Sequence, residues 1–399
     1  MTDSIINDKR ILRGCMLYEV LQNRPVFESY LNFCASLRCP EFDYREFEFW
    51  YFRFHRGLTD FDYDMSEELD NKPTLTDMPM DVVGRVLGNL NYKTHLVLRK
   101  VCKSLREIVD QRAPPYKSIT LWIEDYGATV SFDMHEVRYR IAHMGGGSSV
   151  RLGFQQRLSI FSREDPVARA IRDVRSAVEH PKLRLDEFKI QVVFSAWGED
   201  EKKREGELRK KYFDEIKDVL STVPRGTLDV EKLEVYVKNQ DEVLSILPFM
   251  TPGVLETIVI QSPTMSKLRL QMTQIVELEQ WKRAKKLVAD RFVVQFPIEN
   301  IPHFETTWIR FAAVSMKQLR VLRDALLLSS NFVSLTLESS KPIDIDSIDE
   351  YLGADIPQDP PTPNYRYYPL PDCDDHVFEI HLHPKCLKMQ RTSKTELLR

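Results

Sequence analysis

No run of 18 or more consecutive apolar residues occurs in the 399-residue sequence, so no membrane-spanning helix is expected. The first residues lack the basic-then-apolar order of a signal peptide, and a soluble chain of the cytoplasm or nucleus is the expectation. Basic charge is not in surplus: 56 Lys and Arg against 60 Asp and Glu leave a net charge of −4. No overall positive field therefore favours nucleic acid or an anionic membrane. The six cysteines (Cys15, Cys34, Cys39, Cys102, Cys373, Cys386) include no CxxC pair, which excludes a ribbon or RING zinc site and fits free thiols better than a disulfide framework. The Gly145-Gly146-Gly147-Ser148-Ser149 run lacks the Gly-Lys-Ser/Thr of a phosphate loop and reads as a flexible hairpin or strand connection. No Ser/His/Asp, Cys/His or paired-carboxylate constellation stands out, so neither catalysis nor a cofactor nor a metal is expected. What is present is 43% apolar residues, enough for cores in two or three domains.

Residues 8–58 carry three helical patterns. Leu12, Met16 and Val20 recur every four residues; Pro25 suits a helix start and precedes Phe27, Tyr30, Leu31 and Cys34 on one face; Phe47, Trp50, Tyr51 and Phe54 form a third, aromatic stripe. Gly57 supplies a left-handed stop. Three short helices so connected form a helix-turn-helix unit, and the acidic segment 59–74 (Asp60, Asp62, Asp64, Glu67, Glu68, Asp70) reads as a solvated linker.

A second helical unit spans 75–112. Pro79 fits the first turn, Asp81 meets the positive end of the helix dipole, and Val82, Val83, Val86, Leu87 and Leu90 line one face. Thr94 is a candidate N-cap for a following helix whose face is Leu98, Val101, Leu105 and Ile108. Gly84 and Gly88 weaken the first helix by about 1 kcal/mol each relative to Ala, so the unit needs a partner to cover it.

From residue 116 the period changes. The runs 118–123, 158–161, 188–194, 233–237, 255–260, 306–311, 333–337 and 377–382 read as strands, with helices between them. One helix starts near Pro166, buries Val167, Ile171, Val174 and Val178, and stops at His180-Pro181. Repeated strand-helix units over 116–385 predict an irregular leucine-rich-repeat-like α/β solenoid, with a doubly wound fold as the competing reading, followed by a polar tail at 386–399. The whole is thus an α+β or α/β multidomain chain.

The spacing Leu75, Met78-Pro79, Asp81, Val82-Val83, Val86-Leu87, Leu90, Leu96, Leu98 and Val101-Cys102-Lys103-Ser104-Leu105 resembles an F-box. It departs from the usual pattern in Met78 for Leu, Thr94 for Asp and Leu105 for Trp, changes compatible in volume or capping. The segments 241–250, 274–287, 297–305 and 315–337 resemble the FTH domain of nematode F-box proteins, spanning about 185–340. The segment 49–64 resembles the helix-turn-helix of mariner-type transposases, and this three-part order is that of the nematode F-box A proteins. The resemblance implies the substrate-recognition subunit of an SCF-type cullin-RING ubiquitin ligase. The F-box residues Leu75, Met78, Pro79, Val82, Val83, Val86, Leu87, Leu90, Leu96, Leu98, Val101, Cys102 and Leu105 would bind a Skp adaptor, and through it cullin and a RING protein. The FTH solenoid would hold a protein substrate for proteasomal degradation. The chain itself would be a non-catalytic adaptor.

The alternative is a DNA- or chromatin-associated factor acting through the helix-turn-helix, with the F-box as a protein contact. Glu46 and Glu48 on the third helix would face phosphates, and Asp60, Asp62 and Asp64 follow, so a packing or protein-binding role is favoured. His376, His381, His383, Cys386 and Cys373 raise zinc, but without a second tight ligand pair they read as a polar strand face. The 199–211 charge run reads as a solvated helix face, 357–371 as an excursion or a polyproline ligand, and Cys102 as an inert thiol among apolar neighbours. Within 233–237, Glu234 and Tyr236 alternate with Leu233, Val235 and Val237; if the aliphatic three face the core, the other two face out and are candidate substrate contacts.

Overall fold

The computed structural model describes residues 8–38, 42–64, 78, 80–142, 147–152, 164–195, 198–264, 268–344, 352, 364–371 and 373–397. Its contacts divide the chain into two units, 1–89 and 90–399. The expected strand at 158–161 lies outside the described residues, as do Leu75 and Pro79.

In the first unit, Asp8 caps α1 (Lys9–Leu21) by accepting from the Arg10 and Ile11 amides. Pro25, at the cap rather than inside, opens α2 (Val26–Leu37), and Asp43 caps α3 (Tyr44–His55). Leu12, Met16 and Val20 meet Phe47, Trp50, Tyr51 and Phe54 in one core, as the spacing predicts. The α2 face differs from expectation: Phe33 and Leu37 are buried, whereas Phe27 and Leu31 are exposed. Phe33 is drawn inward by ring contacts to Phe42 and Phe47, at centroid distances of 5.2 and 5.1 Å. Gly57, at φ +79°, closes α3: its amide donates to Phe54 O and that of Leu58 to Arg53 O, the paired bonds of a Schellman stop. The acidic segment after it is not simply solvated. Phe61 packs edge-on to Phe54, Tyr63 stacks on Phe49, and Asp62 pairs with Arg10 at 2.6 Å. α4 (Met80–Gly88) completes the unit.

The second unit begins with α5 (Tyr92–Val101) and α6 (Lys103–Asp110) and continues into one large sheet. Its strands are β1 (Ser118–Glu124), β2 (Gly127–Phe132), β3 (His135–Ala142), β4 (Gly147–Leu152), β5 (Arg184–Val192), β6 (Asp229–Tyr236), β7 (Thr257–Gln261), β8 (Leu268–Gln271), β9 (Lys286–Asp290), β10 (Phe292–Gln295), β11 (Thr306–Phe311), β12 (Ser334–Ser339), β13 (Tyr365–Leu370), β14 (Cys373–His383) and β15 (Cys386–Ser393). From β1 through β5, β6, β7, β9 and β11 to β12 the neighbours are parallel and follow chain order. Antiparallel strands extend both ends: β2, β3 and β4 beyond β1, and β15, β14 and β13 beyond β12. The fold is therefore mixed α/β on one sheet, and the parallel run has no reversal of strand order of the kind a doubly wound sheet uses.

The alternation of side chains sets the layers. Phe188, Leu233, Ile258 and Leu287 share one register line and lie in the core with the buried faces of α7 (Pro166–Val178), α8 (Glu199–Leu220), α9 (Gln240–Leu244), α10 (Glu279–Arg283) and α11 (Met316–Leu328). α7 follows its reading closely, with Asp165 capping and Val167, Ile171, Val174 and Val178 buried. Gly127 is needed where β2 meets β3: a Cβ there would sit 2.0 Å from Tyr139 O.

Three expectations are corrected. Of the segment 386–399, expected as a polar tail, Cys386–Ser393 is strand β15, which lies between β12 and β14, and Leu387 and Met389 fill the core. The second half of 357–371 is strand β13, paired with β14. The 199–211 run is not only a solvated face, because Glu205 and Arg209 of α8 are buried. Arg209 holds Glu242 through Nε–Oε1 at 3.0 Å and Nη2–Oε2 at 2.6 Å, and donates to the carbonyls of Val192 and Tyr236 at the ends of β5 and β6. Glu242 also accepts from the Lys238 amide at 2.7 Å, and Glu205 pairs with Lys238 at 2.6 Å. This network locks α8 and α9 to the carboxyl ends of two strands.

Candidate interaction surfaces

α4 presents two stripes. Val83 and Leu87, expected at a partner surface, are fully buried within the chain, whereas Val82 and Val86, one turn apart, are exposed, as is Met78 just before the helix. Leu90 is half-buried.

The helix expected to run on from Thr94 is broken. Asn91, not Thr94, caps α5, its Oδ1 accepting from the Thr94 amide at 3.0 Å. At Cys102 the backbone turns extended (φ −154°, ψ 168°), and its Sγ takes the Leu105 amide at 3.5 Å as the cap of α6. The break changes the phase of the apolar face: Leu105 and Val109 are buried, Leu98 and Ile108 half-buried, while Val97 and Val101 stay 61% and 63% exposed. Cys102 is itself exposed and lacks the apolar enclosure expected of it. The side chain of Leu96 lies outside the described residues. Arg99 fastens the two helices, binding both Asp110 oxygens at 2.5 and 3.1 Å while its carbonyl accepts from Arg106 Nε at 2.9 Å.

This pair is seated on the sheet. Tyr92 stands edge-on to Tyr116 and lies against Phe132, with centroids 5.2 and 4.8 Å away. His180 Nε2 meets Asp110 O at 3.0 Å, and Lys182 Nζ donates to Gln111 O at 2.6 Å. Burial, reinforced by the charge of Asp173, pushes the Tyr92 phenol up to about 12, so the ring stays neutral at physiological pH.

The second surface is the sheet face opposite the helices. Register places Thr120, Lys189, Glu234, Val259, Val288, Trp308 and Thr336 in one line across it, with Trp122, Gln191, Tyr236 and Gln261 in the next. Trp122 and Trp308 are 43% and 45% exposed. The alternation expected at 233–237 holds, with Leu233, Val235 and Val237 in the core and Tyr236 half-buried on the open side. Glu234 is on that side but covered by lysines: Lys189 at 2.7 Å and Lys232 at 3.3 Å, the latter also 2.6 Å from Glu187. Burial pushes the Glu234 carboxyl up, but hydrogen bonds and charge from the two lysines outweigh it and hold the group below its ordinary value. Lys189 also lies 5.5 Å from the Tyr236 ring centre. Trp122 and Trp308 were missed in the sequence although each alternates with core residues, Leu121 and Ile123 in one case and Thr307 and Ile309 in the other.

The histidines are dispersed. His381 stacks on Tyr365 at 4.4 Å, and His376 Nδ1 is 3.5 Å from Cys373 Sγ. Among the described residues no three His, Cys, Asp or Glu side chains gather as metal ligands. No described helix is long and apolar enough to cross a membrane.

Comparison with known families gives each region a counterpart. Residues 9–58 match the HTH domain in Mos1 transposase, 75–115 the F-box domain, and 210–355 the FTH domain. The chain thus carries a Mos1-like helix-turn-helix, an F-box and an FTH domain in that order, and the resemblance drawn from residues 49–64, 75–110 and 241–337 is borne out. More particularly, it is similar to F-box A protein 224 of Caenorhabditis elegans, with 25% identity over 353 residues, covering 86% of this chain and 87% of the relative. It is also similar to F-box A protein 155 of the same organism, 23% identical over 355 residues, covering 84% and 79%.

Proposed function

We propose that the chain is the substrate-recognition subunit of an SCF-type cullin-RING ubiquitin ligase, a non-catalytic adaptor. The observation that carries this reading is that apolar side chains of the F-box stretch are left outward in each unit: Val82 and Val86 on α4, with Met78 just before it, in the first, and Val97 and Val101 on α5 in the second. A Skp adaptor covers them, and burial at about 25 cal/mol per Å² of apolar area supplies the affinity. Through the adaptor, cullin and its RING protein bring the ubiquitin-loaded enzyme, so this chain contributes proximity and orientation and no chemistry of its own.

A protein substrate docks on the open face of the sheet. Tyr236, Trp122 and Trp308 offer large contact areas at low entropy cost, and Glu234 with its lysines fixes the polar surroundings. Co-expression with the Skp adaptor, cullin and RING protein tests the assignment. Recovery of a stoichiometric assembly that captures cellular proteins through this chain supports it; a chain that purifies soluble and alone in the presence of all three partners sinks it.

A further inference from the structure

The open face of the sheet divides into rows that differ in how far the chain satisfies them. On one flank Lys189 holds Glu234 at 2.7 Å and Lys232 holds Glu187 at 2.6 Å; on the other, Glu124 pairs with Arg140. Each of these charges is matched within the chain. The row between them is Trp122, Gln191, Tyr236 and Gln261, register partners on β1, β5, β6 and β7. Its side chains offer an indole N–H, a phenol and two primary amides, all of them donors, and among the described residues none of the four makes a side-chain hydrogen bond.

Charge and spacing together define what this row fits. Because both flanks are already neutralised, an acidic or basic segment finds no counter-ion there, whereas an uncharged one gives up no ion hydration on docking. The complement is a neutral ligand. Aromatic residues alternate with amides along the row, and Trp122 and Tyr236 stand two strands apart, about 9.6 Å at the usual strand spacing of about 4.8 Å. Their rings do not touch, which leaves a slot over Gln191. A polyproline II helix turns once in three residues, about 9.3 Å, whereas an extended strand repeats in about 6.6 to 6.8 Å. Only the first period matches the aromatic spacing. A polyproline segment also lacks internal hydrogen bonds, so its carbonyls are open to the amides of Gln191 and Gln261, and being already extended it loses little entropy on binding.

We infer that this row binds an uncharged, proline-rich segment of the substrate in the polyproline II conformation, its successive turns packed against Trp122 and Tyr236 and its carbonyls held by Gln191 and Gln261. The inference rests on the proposal that substrates dock on the open face, and it narrows them to proteins that carry such a segment.

The test titrates fluorescein-labelled decaproline into the full chain with its adaptor, beside a glycine-serine peptide and a glutamate-rich peptide of equal length, and reads anisotropy. Decaproline should bind more tightly than either control, with an affinity nearly constant between about 0.05 and about 0.5 M salt because no ion pair forms. Trp122→Ala, Tyr236→Ala and Gln191→Leu should each weaken it roughly tenfold or more at an unchanged melting temperature, whereas Trp308→Ala, outside the row, should not. Excess decaproline should also displace cellular proteins captured by the chain. Decaproline that does not bind, a preference for the glutamate-rich peptide, or an affinity indifferent to the three row substitutions would overturn the inference. Capture that is lost in Trp122→Ala and Tyr236→Ala but is not displaced by decaproline keeps the sheet face as the docking site and removes the proline-rich class; capture unchanged in both variants removes the docking site itself, and the inference with it.

Discussion

Glu242→Gln is the substitution whose effect the structure fixes best. Arg209 is buried at 2% exposure and spends donors on both Glu242 oxygens and on the carbonyls of Val192 and Tyr236. Glutamine preserves the shape of the acceptor and its bond from the Lys238 amide but removes the charge that compensates the guanidinium. Breaking one partner of a buried pair in this way costs about 3 to 5 kcal/mol. For a unit of this size, at roughly 2 °C per kcal/mol, the melting temperature should fall by roughly 6 to 10 °C. Removing both charges with Arg209→Met and Glu242→Leu strands only the two carbonyls and one amide, so the double variant should be more stable than either single one. A double-mutant cycle read by thermal and urea unfolding should return a coupling of about 2 kcal/mol or more. The reasoning is refuted if Glu242→Gln loses less than about 1 kcal/mol, or if the two single losses simply add.

Three further outcomes are expected. Glu234 has a lowered folded pKa, so its stabilising contribution is fully present above the ordinary carboxylate value of 4.5 and is lost as the pH falls through the lowered folded value. The melting-temperature gap between the unsubstituted chain and Glu234→Gln should therefore be constant near neutrality and shrink on acidification; a gap that widens in acid contradicts the assigned direction. Tyr236→Ala should weaken capture of cellular substrates while leaving adaptor binding and melting temperature little changed, and a large melting shift would mark the residue as core instead. Duplex DNA should bind no more tightly than about 10⁻⁴ to 10⁻⁶ M at physiological salt, because Glu46 and Glu48 sit on α3 and Arg53 is stacked on Tyr63 with its guanidinium 3.5 Å from the ring centre; submicromolar, sequence-selective shifts would restore a DNA-binding role.

The parts of the fold legible in the sequence were those where period and burial agree. The stripes Leu12, Met16, Val20 on α1 and Val167, Ile171, Val174, Val178 on α7 allow a single buried face, and both faces are found in the cores. α2 was ambiguous because apolar residues surround it, so the aromatic rings of α3 and the loop before it decide which side goes inward. β15 escaped notice because Cys386–Ser393 carries only Leu387 and Met389 inward, and its strand state depends on ladders to β12 and β14 that are distant in sequence. The Arg209–Glu242 pair spans 33 positions and no local period announces it. At the F-box, spacing identified the region, but it did not single out Val97, which is 61% exposed on α5, and the break at Cys102 resets the phase so that Leu105 and Val109 of α6 turn inward. An extended residue between two helices resets the phase, and nothing in a helical pattern marks where that happens.

The central claim is that the outward apolar residues of the F-box helices bind a Skp adaptor, and the most direct measurement is the affinity of the purified chain for that adaptor with and without Val82→Asp and Val86→Asp. Both positions are about 40% exposed, so the carboxylates are solvated in the free chain and are buried unpaired only in the complex. Val83→Asp is the poorer probe, since Val83 is fully buried and its replacement disturbs the chain itself. The account predicts tight binding by the unsubstituted chain and a loss of about 3 kcal/mol for the double variant, or roughly 100-fold, with an unchanged melting temperature. Adaptor binding that is absent from the unsubstituted chain, or equally tight in the double variant, would contradict it.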